Sequence, residues 1–428
     1  MVILFGTLIV LFLLGLPVAF SMGVASLLAL VLTRDIPMVV VAQRWVTALD
    51  SFPLMAVPLF LLAGALMDTG GLATRIVTLA SAFLGWVRGS LLHVTVLASM
   101  VFADISGSSS ADTAAVGSVL IPQMKKRGYN IDFATAINAA GGCIGPIIPP
   151  SITMIVISYI TNISIAGMFV GGLVPGIMIG ISLMIASYIH ARSGGAAYAA
   201  TEKFDAATGC KASFAALPAL FAPVVIVGGI ITGIFTATEA GVVAVFYGLI
   251  VGMFVYRELT PKHLPPMLLK CAVQASMVLF IAANASLFAW LVAAERIPQM
   301  VGDWMISISS DPLIFLVIVN VVLLITGMLM ETFSAIIILM PILFPVAMAY
   351  GLDPIHFGVL VTVNLCIGMV TPPYGITLYV ASTISGRTVR QVSRHLGLPI
   401  GAMLVVLLLI TYIPETVLIV PRMFGYVK

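Results

Sequence analysis

The string Gly-x-x-x-Pro-Pro occurs twice in this chain, as Gly145-Pro-Ile-Ile-Pro-Pro-Ser151 and as Gly368-Met-Val-Thr-Pro-Pro-Tyr374, each time inside an apolar run. Proline lacks an amide donor, clashes with the preceding turn and pushes the residue before it out of helical geometry, so a Pro pair breaks a helix. The break frees carbonyls and amides. Within hydrocarbon such groups are tolerated only where they are buried in protein or line a cavity. A break that occurs twice therefore points to a paired ion and substrate site built from discontinuous helices.

Composition says that the surroundings are hydrocarbon. Of 428 residues 61% are hydrophobic and 8% charged, with mean hydropathy +1.21, whereas soluble domains are roughly half apolar and a quarter charged. Apolar runs long enough to cross about 30 Å of hydrocarbon as helices recur over the whole length and leave no room for a soluble domain. Segment 1–32 lacks a basic start and a small-residue cleavage site, so it reads as a retained span. Cys143, Cys210, Cys271 and Cys366 lie far apart without CxxC or Cys/His spacing, which argues against a metal centre or a disulfide framework. A net charge of +3 suits a membrane protein with basic cytoplasmic loops and gives no case for nucleic acid. No Gly-x-x-x-x-Gly-Lys-Ser/Thr phosphate loop is present.

Pro149 and Pro372 lie 223 residues apart (372 minus 149), and the same offset pairs Pro122 with Pro345, Gly128 with Gly351 and Asp104 with Gly327. Nearer the start it becomes 218, pairing Gly15 with Gly233 and Gly23 with Gly241. Such weak internal symmetry marks a secondary transporter made of two halves. We expect an all-α polytopic membrane protein with two inverted repeats, 1–190 and 214–428, joined by a polar linker at 191–213. Each scaffold (1–90; 217–310) would comprise one long bent span (1–32; 217–256), a charged amphipathic connector (34–50; 257–270) and two further spans. Pro17 and the Thr236 to Glu239 cluster would supply the bends, because inversion requires an odd number of spans per half. A hairpin and a broken helix follow, together 91–160 and 312–384, then a closing span at 165–190 and 396–420.

The hairpin follows from a polar knot, Asp104-Ile-Ser-Gly-Ser-Ser-Ser-Ala-Asp112, which no lipid-facing helix could carry. It must re-enter, so that its tip meets the broken helix near the bilayer midplane. Gly327-Met-Leu-Met-Glu331-Thr-Phe-Ser334 repeats the arrangement. Arg88 and Lys125-Lys126-Arg127 place the first hairpin's base in the cytoplasm, and Arg387, Arg390 and Arg394 after the second break open the second hairpin to the other side.

Ser106-Gly-Ser-Ser-Ser-Ala-Asp112, the two Pro-Pro strings and Glu331-Thr together resemble the large membrane subunit of tripartite ATP-independent periplasmic (TRAP) transporters, over nearly the whole chain. Gly233-Ile-Phe-Thr-Ala-Thr-Glu-Ala240 is similar to a further family stretch, with Ala237 where proline is usual. The resemblance implies a multi-pass protein of the bacterial inner membrane and a sodium-driven elevator transporter similar to the ion-transporter superfamily. It also implies a small four-helix membrane subunit and a periplasmic substrate-binding protein as partners. The implied cargo is a small organic acid of the sialic acid or C4-dicarboxylate class, with no enzymatic activity and no cofactor beyond Na+ as coupling ion.

Sodium prefers oxygens, and an unwound helix facing a hairpin tip offers carbonyls and hydroxyls. The candidate sodium ligands are Ser106, Ser109, Gly145, Ile148 and Pro150 in the first half, and Gly327, Gly368, Thr371 and Pro373 in the second. Small residues that merely let helices pack closely are the competing explanation. A carboxylate would be held by helix N-termini and hydroxyls, here Ser106, Ser108, Ser151 and Thr153. Asp112 and Glu331 are acidic groups in apolar segments, where charge is functional by default, and both are read as contributors to the substrate site. Asp104 either caps the hairpin's second helix or joins the site. A guanidinium on the substrate would have to come from Arg44, Arg75 or Arg296, which otherwise act as interface anchors.

Two other functions are compatible with parts of the sequence. A self-sufficient sodium/carboxylate symporter of related fold would need no binding protein. An intramembrane serine hydrolase would use the Asp104-Ile-Ser-Gly107 stretch with His93 as base, but it leaves the second break without a purpose.

Overall fold

In the computed structural model the described residues, 2–33, 37–199 and 205–427, are helical with no strand among them. Arg34, which opens the first connector, and 200–204 within the linker lie outside the described residues.

The first half runs through α1 (Val2–Leu13), α2 (Val18–Thr33), α3 (Val39–Leu49), α4 (Ala56–Thr69), α5 (Leu72–Leu84), α6 (Ser90–Ser106), α7 (Ser109–Lys126), α8 (Ile131–Gly142), α9 (Ile152–Thr161) and α10 (Ile165–Ser193). The second half repeats it with α11 (Ala206–Ile231), α12 (Ala237–Ile250), α13 (Leu264–Ala294), α14 (Ile297–Ile308), α15 (Pro312–Leu329), α16 (Thr332–Ala349), α17 (Pro354–Gly368) and α18 (Ile376–Ser385). It closes with α19 (Val389–Ser393), α20 (Gly397–Tyr412) and α21 (Glu415–Met423).

The repeat extends to backbone detail. Gly15 and Gly233 have φ of 80° and 74°, Gly128 and Gly351 have 75° and 73°, and both Pro-Pro bonds, Pro149-Pro150 and Pro372-Pro373, are cis. Asn130 and Asp353 cap α8 and α17 in the same way, each accepting two backbone amides. Packing exchanges the halves: α4 lies on α12 as α13 lies on α2, and α7 lies on α18 as α16 lies on α9. The inversion is visible where the two broken helices meet. Arg387, just beyond the end of α18, pairs at 3.0 Å with Asp132 at the start of α8. The end of one broken helix thus adjoins the beginning of the other, as antiparallel copies require. Arg88 donates to the carbonyls of Ala191 (3.0 Å) and Gly195 (3.2 Å), which sets the first hairpin's base and the end of α10 on one face. Lys125, Lys126 and Arg387 are there as well, so this is the face that the excess of basic residues on cytoplasmic loops would put in the cytoplasm.

Several boundaries differ from expectation, each for a physical reason. The 1–32 and 217–256 segments are not single bent spans, because each is two helices folded back on one another. Gly233 in the left-handed region ends α11, and Thr236 with Glu239 forms a capping box that starts α12 afresh. In the second half both members are long and apolar enough to cross. What these segments gain, the scaffold loses afterwards, since α5 and α14 have only 13 and 12 residues and cannot span about 30 Å. The first connector, α3, runs through a 61° bend into α4, while the second merges with its span into the 31-residue α13. The linker is shorter than 191–213, because α10 continues to Ser193 and α11 begins at Ala206. The closing span 396–420 is bent by 62° between α20 and α21, at Pro414.

Candidate functional site

Only two residues of the polar knot are unwound. α6 runs on to Ser106, Gly107 turns the chain at φ 57°, and Ser108 is the extended N-cap position of α7. Asp104 lies inside the last turn of α6 and caps nothing, whereas Asp112 sits in the first turn of α7, where a negative charge complements the helix dipole.

The first break packs directly on this tip. A side chain on Gly107 would meet the carbonyl oxygen of Pro150 at 2.5 Å, so only glycine admits that contact. Gly145 faces the Asp112 carboxylate and the carbonyl carbon of Ser108. Asp112 is fully buried; its Oδ1 accepts the Ser106 hydroxyl, and its Oδ2 has no hydrogen-bond partner among the described residues. The Ser106 hydroxyl also accepts the Ser108 amide at 3.1 Å. Ser151 caps α9, accepting the Met154 amide at 3.2 Å and donating to the Pro146 carbonyl. Ile148 packs its side chain on Gly176 of α10.

The second break is tied to its own hairpin through backbone. Gly368 touches Gly327, and the Tyr374 amide donates to the Met328 carbonyl at 3.2 Å. The Thr371 hydroxyl donates to the Ile367 carbonyl at 2.8 Å, and Pro373 is exposed. Two contacts join the halves here: Cys143 Sγ at the end of α8 lies 3.7 Å from the Thr377 hydroxyl of α18, and the Ser109 hydroxyl of the first tip points at Met369 Sδ of the second break, 3.5 Å away.

A small cavity of ≈ 50 Å³ collects all four pieces. It is lined by Gly107 to Ser110 of the first tip, Pro146 and Thr153 of the first break, Glu331 to Phe333 of the second tip, and Met369 and Ile376 of the second break. Of the expected substrate residues, Ser108, Thr153 and Glu331 line it. Ser106 and Ser108 line a larger neighbouring cavity of ≈ 570 Å³ between the first tip and α4, α13. Asp112 and Ser151 line neither and are turned toward the first break. Glu331 stands at the N-cap position of α16 without capping it, which leaves its carboxylate free for another partner. Sequence reasoning missed Lys270, Asp68 and Gln274, which line the larger cavity. An ionisable residue inside an apolar run was the available signal for the first two. Arg75 is not available to a substrate. It bonds Glu258 at 2.6 Å and the Gly71 carbonyl at 2.7 Å, and it lies 3.9 Å over Tyr256.

The hydrolase reading fails on distance. His93 bonds the Gly89 carbonyl at 3.0 Å and sits on α6 thirteen residues before Ser106, roughly 20 Å away at 1.5 Å per residue.

The family described as tripartite ATP-independent periplasmic transporter, DctM component, matches residues 5–416. The chain belongs to this family. It is a DctM-family permease component, a multi-pass protein of the inner membrane, and not an enzyme. It is 40% identical to the isethionate TRAP transporter permease protein DctMQ of Oleidesulfovibrio alaskensis over 96% of its own length, and it spans 65% of that longer relative. It is 37% identical to the sialic acid TRAP transporter large permease protein SiaM of Vibrio cholerae, with 96% of each chain covered. It is 40% identical to the C4-dicarboxylate TRAP transporter large permease protein DctM of Pseudomonas aeruginosa, with 95% and 94% covered. The fold of this DctM-family chain is similar to that of the YdaH transporter of Alcanivorax borkumensis, at TM-score 0.57 and 14% identity over 87% of each chain.

Proposed function

We propose that this chain imports a small organic acid by sodium-driven secondary transport, moving hairpins and broken helices as one block in an elevator cycle. A periplasmic binding protein delivers the substrate, and a small four-helix membrane subunit braces the scaffold. The observation that carries the reading is the junction of Ser106, Asp112 and Gly145. A buried carboxylate oxygen left without a donor is costly, and a cation beside the unwound Gly145 to Pro150 backbone would satisfy it with oxygens alone. Ser106, Ser109 and the carbonyls at Gly145, Ile148 and Pro150 then form one sodium site. Gly327, Gly368, Thr371 and Pro373 frame its counterpart, and Ser106, Ser108, Ser151, Thr153 and Glu331 serve the substrate. In this reading Asp112, expected from the sequence at the substrate, serves sodium instead.

An asymmetry between the two flanking cavities supports block movement. At the α4 wall the first hairpin presents Ser106, Ser108, Ser110, Ala111 and Ala114, from its tip into the first turns of α7. At the equivalent α13 wall the second hairpin presents Ile337 and Pro341, its shaft. By the repeat Ile337 corresponds to Ala114 and Pro341 to Ser118, so the second hairpin's lining begins where the first one's ends and runs about a turn further from the tip. The offset is what the inward-facing end of an elevator stroke would give, with hairpins and breaks toward the cytoplasmic face, and it supports the reading. Isethionate, sialic acid and C4-dicarboxylates, the substrates named for the relatives, are all small organic anions, and we assign that class here.

The test is uptake into proteoliposomes that contain this chain and the small subunit, supplied with loaded binding protein. Uptake should require an inward sodium gradient and be indifferent to ATP. Undiminished uptake with sodium absent on both sides would overturn the coupling, and transport by this chain alone would favour the self-sufficient symporter.

A further inference from the structure

The ≈ 570 Å³ cavity beside the first hairpin has two unlike walls. One is the tip, with the hydroxyls of Ser106, Ser108 and Ser110; the other is scaffold, with Asp68 and Thr69 of α4 and His263, Lys270 and Gln274 at and after the start of α13. Its size suits a small-molecule site. Lys270 lies six residues into α13, roughly 9 Å along its axis. Among the described residues it forms no ion pair within 4.0 Å and no hydrogen bond, and Asp68 shares the cavity without closing on it. Lys270 is exposed, and its charge acts on Asp68 across the cavity without a contact; a charged side chain in a spanning helix that has no contact partner points to a ligand or a water-filled path.

The cavity on the opposite side, ≈ 390 Å³, is walled by the equivalent elements, α13 for α4, α16 for α7 and α9 for α18. It too receives one cation from an amphipathic arm, Arg44 of α3, whose guanidinium stands 5.3 Å over the Trp290 ring. Each of the two inverted cavities thus receives one basic side chain from the other half's connector, Arg44 in one and Lys270 in the other, at different positions along it. Lipid anchoring explains each alone, but not why both line the cavity at the hairpin rather than the outer surface.

We infer that Lys270 is an anion-binding residue of the cytoplasmic vestibule, taking the carboxylate or sulfonate of the substrate as it leaves the hairpin serines, with the Gln274 amide donating beside it. The inference rests on the transport reading above. The ammonium stays on the scaffold while the serines move with the block, so the anion meets Lys270 only in the arrangement seen here. Lys270 therefore acts on one side of the membrane.

The experiment is exchange in proteoliposomes of the complete transporter, preloaded inside with a concentration series of sialic acid, succinate or isethionate. Lys270→Gln should raise the internal half-saturating concentration about tenfold, the loss of one charge-assisted hydrogen bond, with external half-saturation and sodium dependence unchanged. Lys270→Arg should restore most of the affinity. An internal half-saturation equal to wild type in Lys270→Gln would overturn the inference alone. Equal weakening on both faces would also overturn it, since a scaffold defect does not choose a side. Wild-type vesicles that exchange none of the three anions would overturn the proposed function beneath it.

Discussion

The backbones of Gly327 and Gly368 are in direct contact: a methyl placed on Gly368 would stand 2.6 Å from both the Cα and the carbonyl carbon of Gly327. Neither partner is a side chain that could rotate away. The last turn of α15 is thereby pressed onto the end of α17, where the second break begins, and hairpin and broken helix become one body. Gly368→Ala should cost about 1–3 kcal/mol of stability by overpacking, seen as a lower Tm in detergent, and should abolish uptake. Gly401→Ala on α20, where a methyl meets nothing within 4 Å, should leave Tm unchanged or raised, since alanine is the better helix former by about 1 kcal/mol. Equal Tm for Gly368→Ala and wild type would mean that the two backbones do not touch.

Asp112→Asn separates charge from shape. The amide oxygen still accepts the Ser106 hydroxyl, but Oδ2, buried beside Gly145 without a donor, is replaced by an NH2 that repels a cation. Half-saturating sodium should rise at least about tenfold, a charged interaction of roughly 1.5–3 kcal/mol being lost, while Tm without sodium holds or increases. Sodium activation identical to wild type would remove Asp112 from the ion site.

Arg75→Ala tests an assignment to structure rather than substrate. The side chain bonds Glu258 and the Gly71 carbonyl and stacks on Tyr256, but the pair is partly exposed, with side-chain exposures of 24% and 45%. Its loss should lower stability by about 1 kcal/mol or less. Half-saturation for substrate should not move; a shift would return Arg75 to the binding machinery.

How much of this was legible beforehand depends on whether a feature is written in backbone chemistry or in long-range contact. The breaks at Gly145 to Ser151 and Gly368 to Tyr374 were readable because Pro-Pro dictates local geometry whatever surrounds it. The re-entrant tip was readable because lipid forbids it otherwise. The restart at Thr236 was written as a capping box with Glu239, yet in an unbroken apolar run it passed for a bend. What Asp112 faces could not be read at all: six residues from Ser106 and 33 from Gly145 in sequence, its two oxygens are divided between them only by packing of α7 on α8. Lys270 was passed over for the same reason, since its cavity is made by five helices from both halves, α4, α6, α7, α13 and α18.

The two flanking cavities meet their hairpins at unequal heights. Ala65 and Ala111 line the cytoplasmic one, and Ala289 and Pro341 the other. If the block slides against a fixed scaffold, the hairpins must exchange registers: α4 should come to face the shaft of the first hairpin near Ser118, and α13 the tip of the second near Ser334. Cysteines at Ala65 and Ala111, or at Ala289 and Pro341, should be bridged by a short bifunctional thiol reagent in the present arrangement. Cysteines at Ala65 and Ser118, or at Ala289 and Ser334, should be bridged in the opposite one. Conditions that favour one pair of bridges should disfavour the other, because a rigid block cannot satisfy both heights at once. Bridging that stays the same at all four pairs, with sodium and substrate present or absent, would show that hairpins gate locally against a block that does not move.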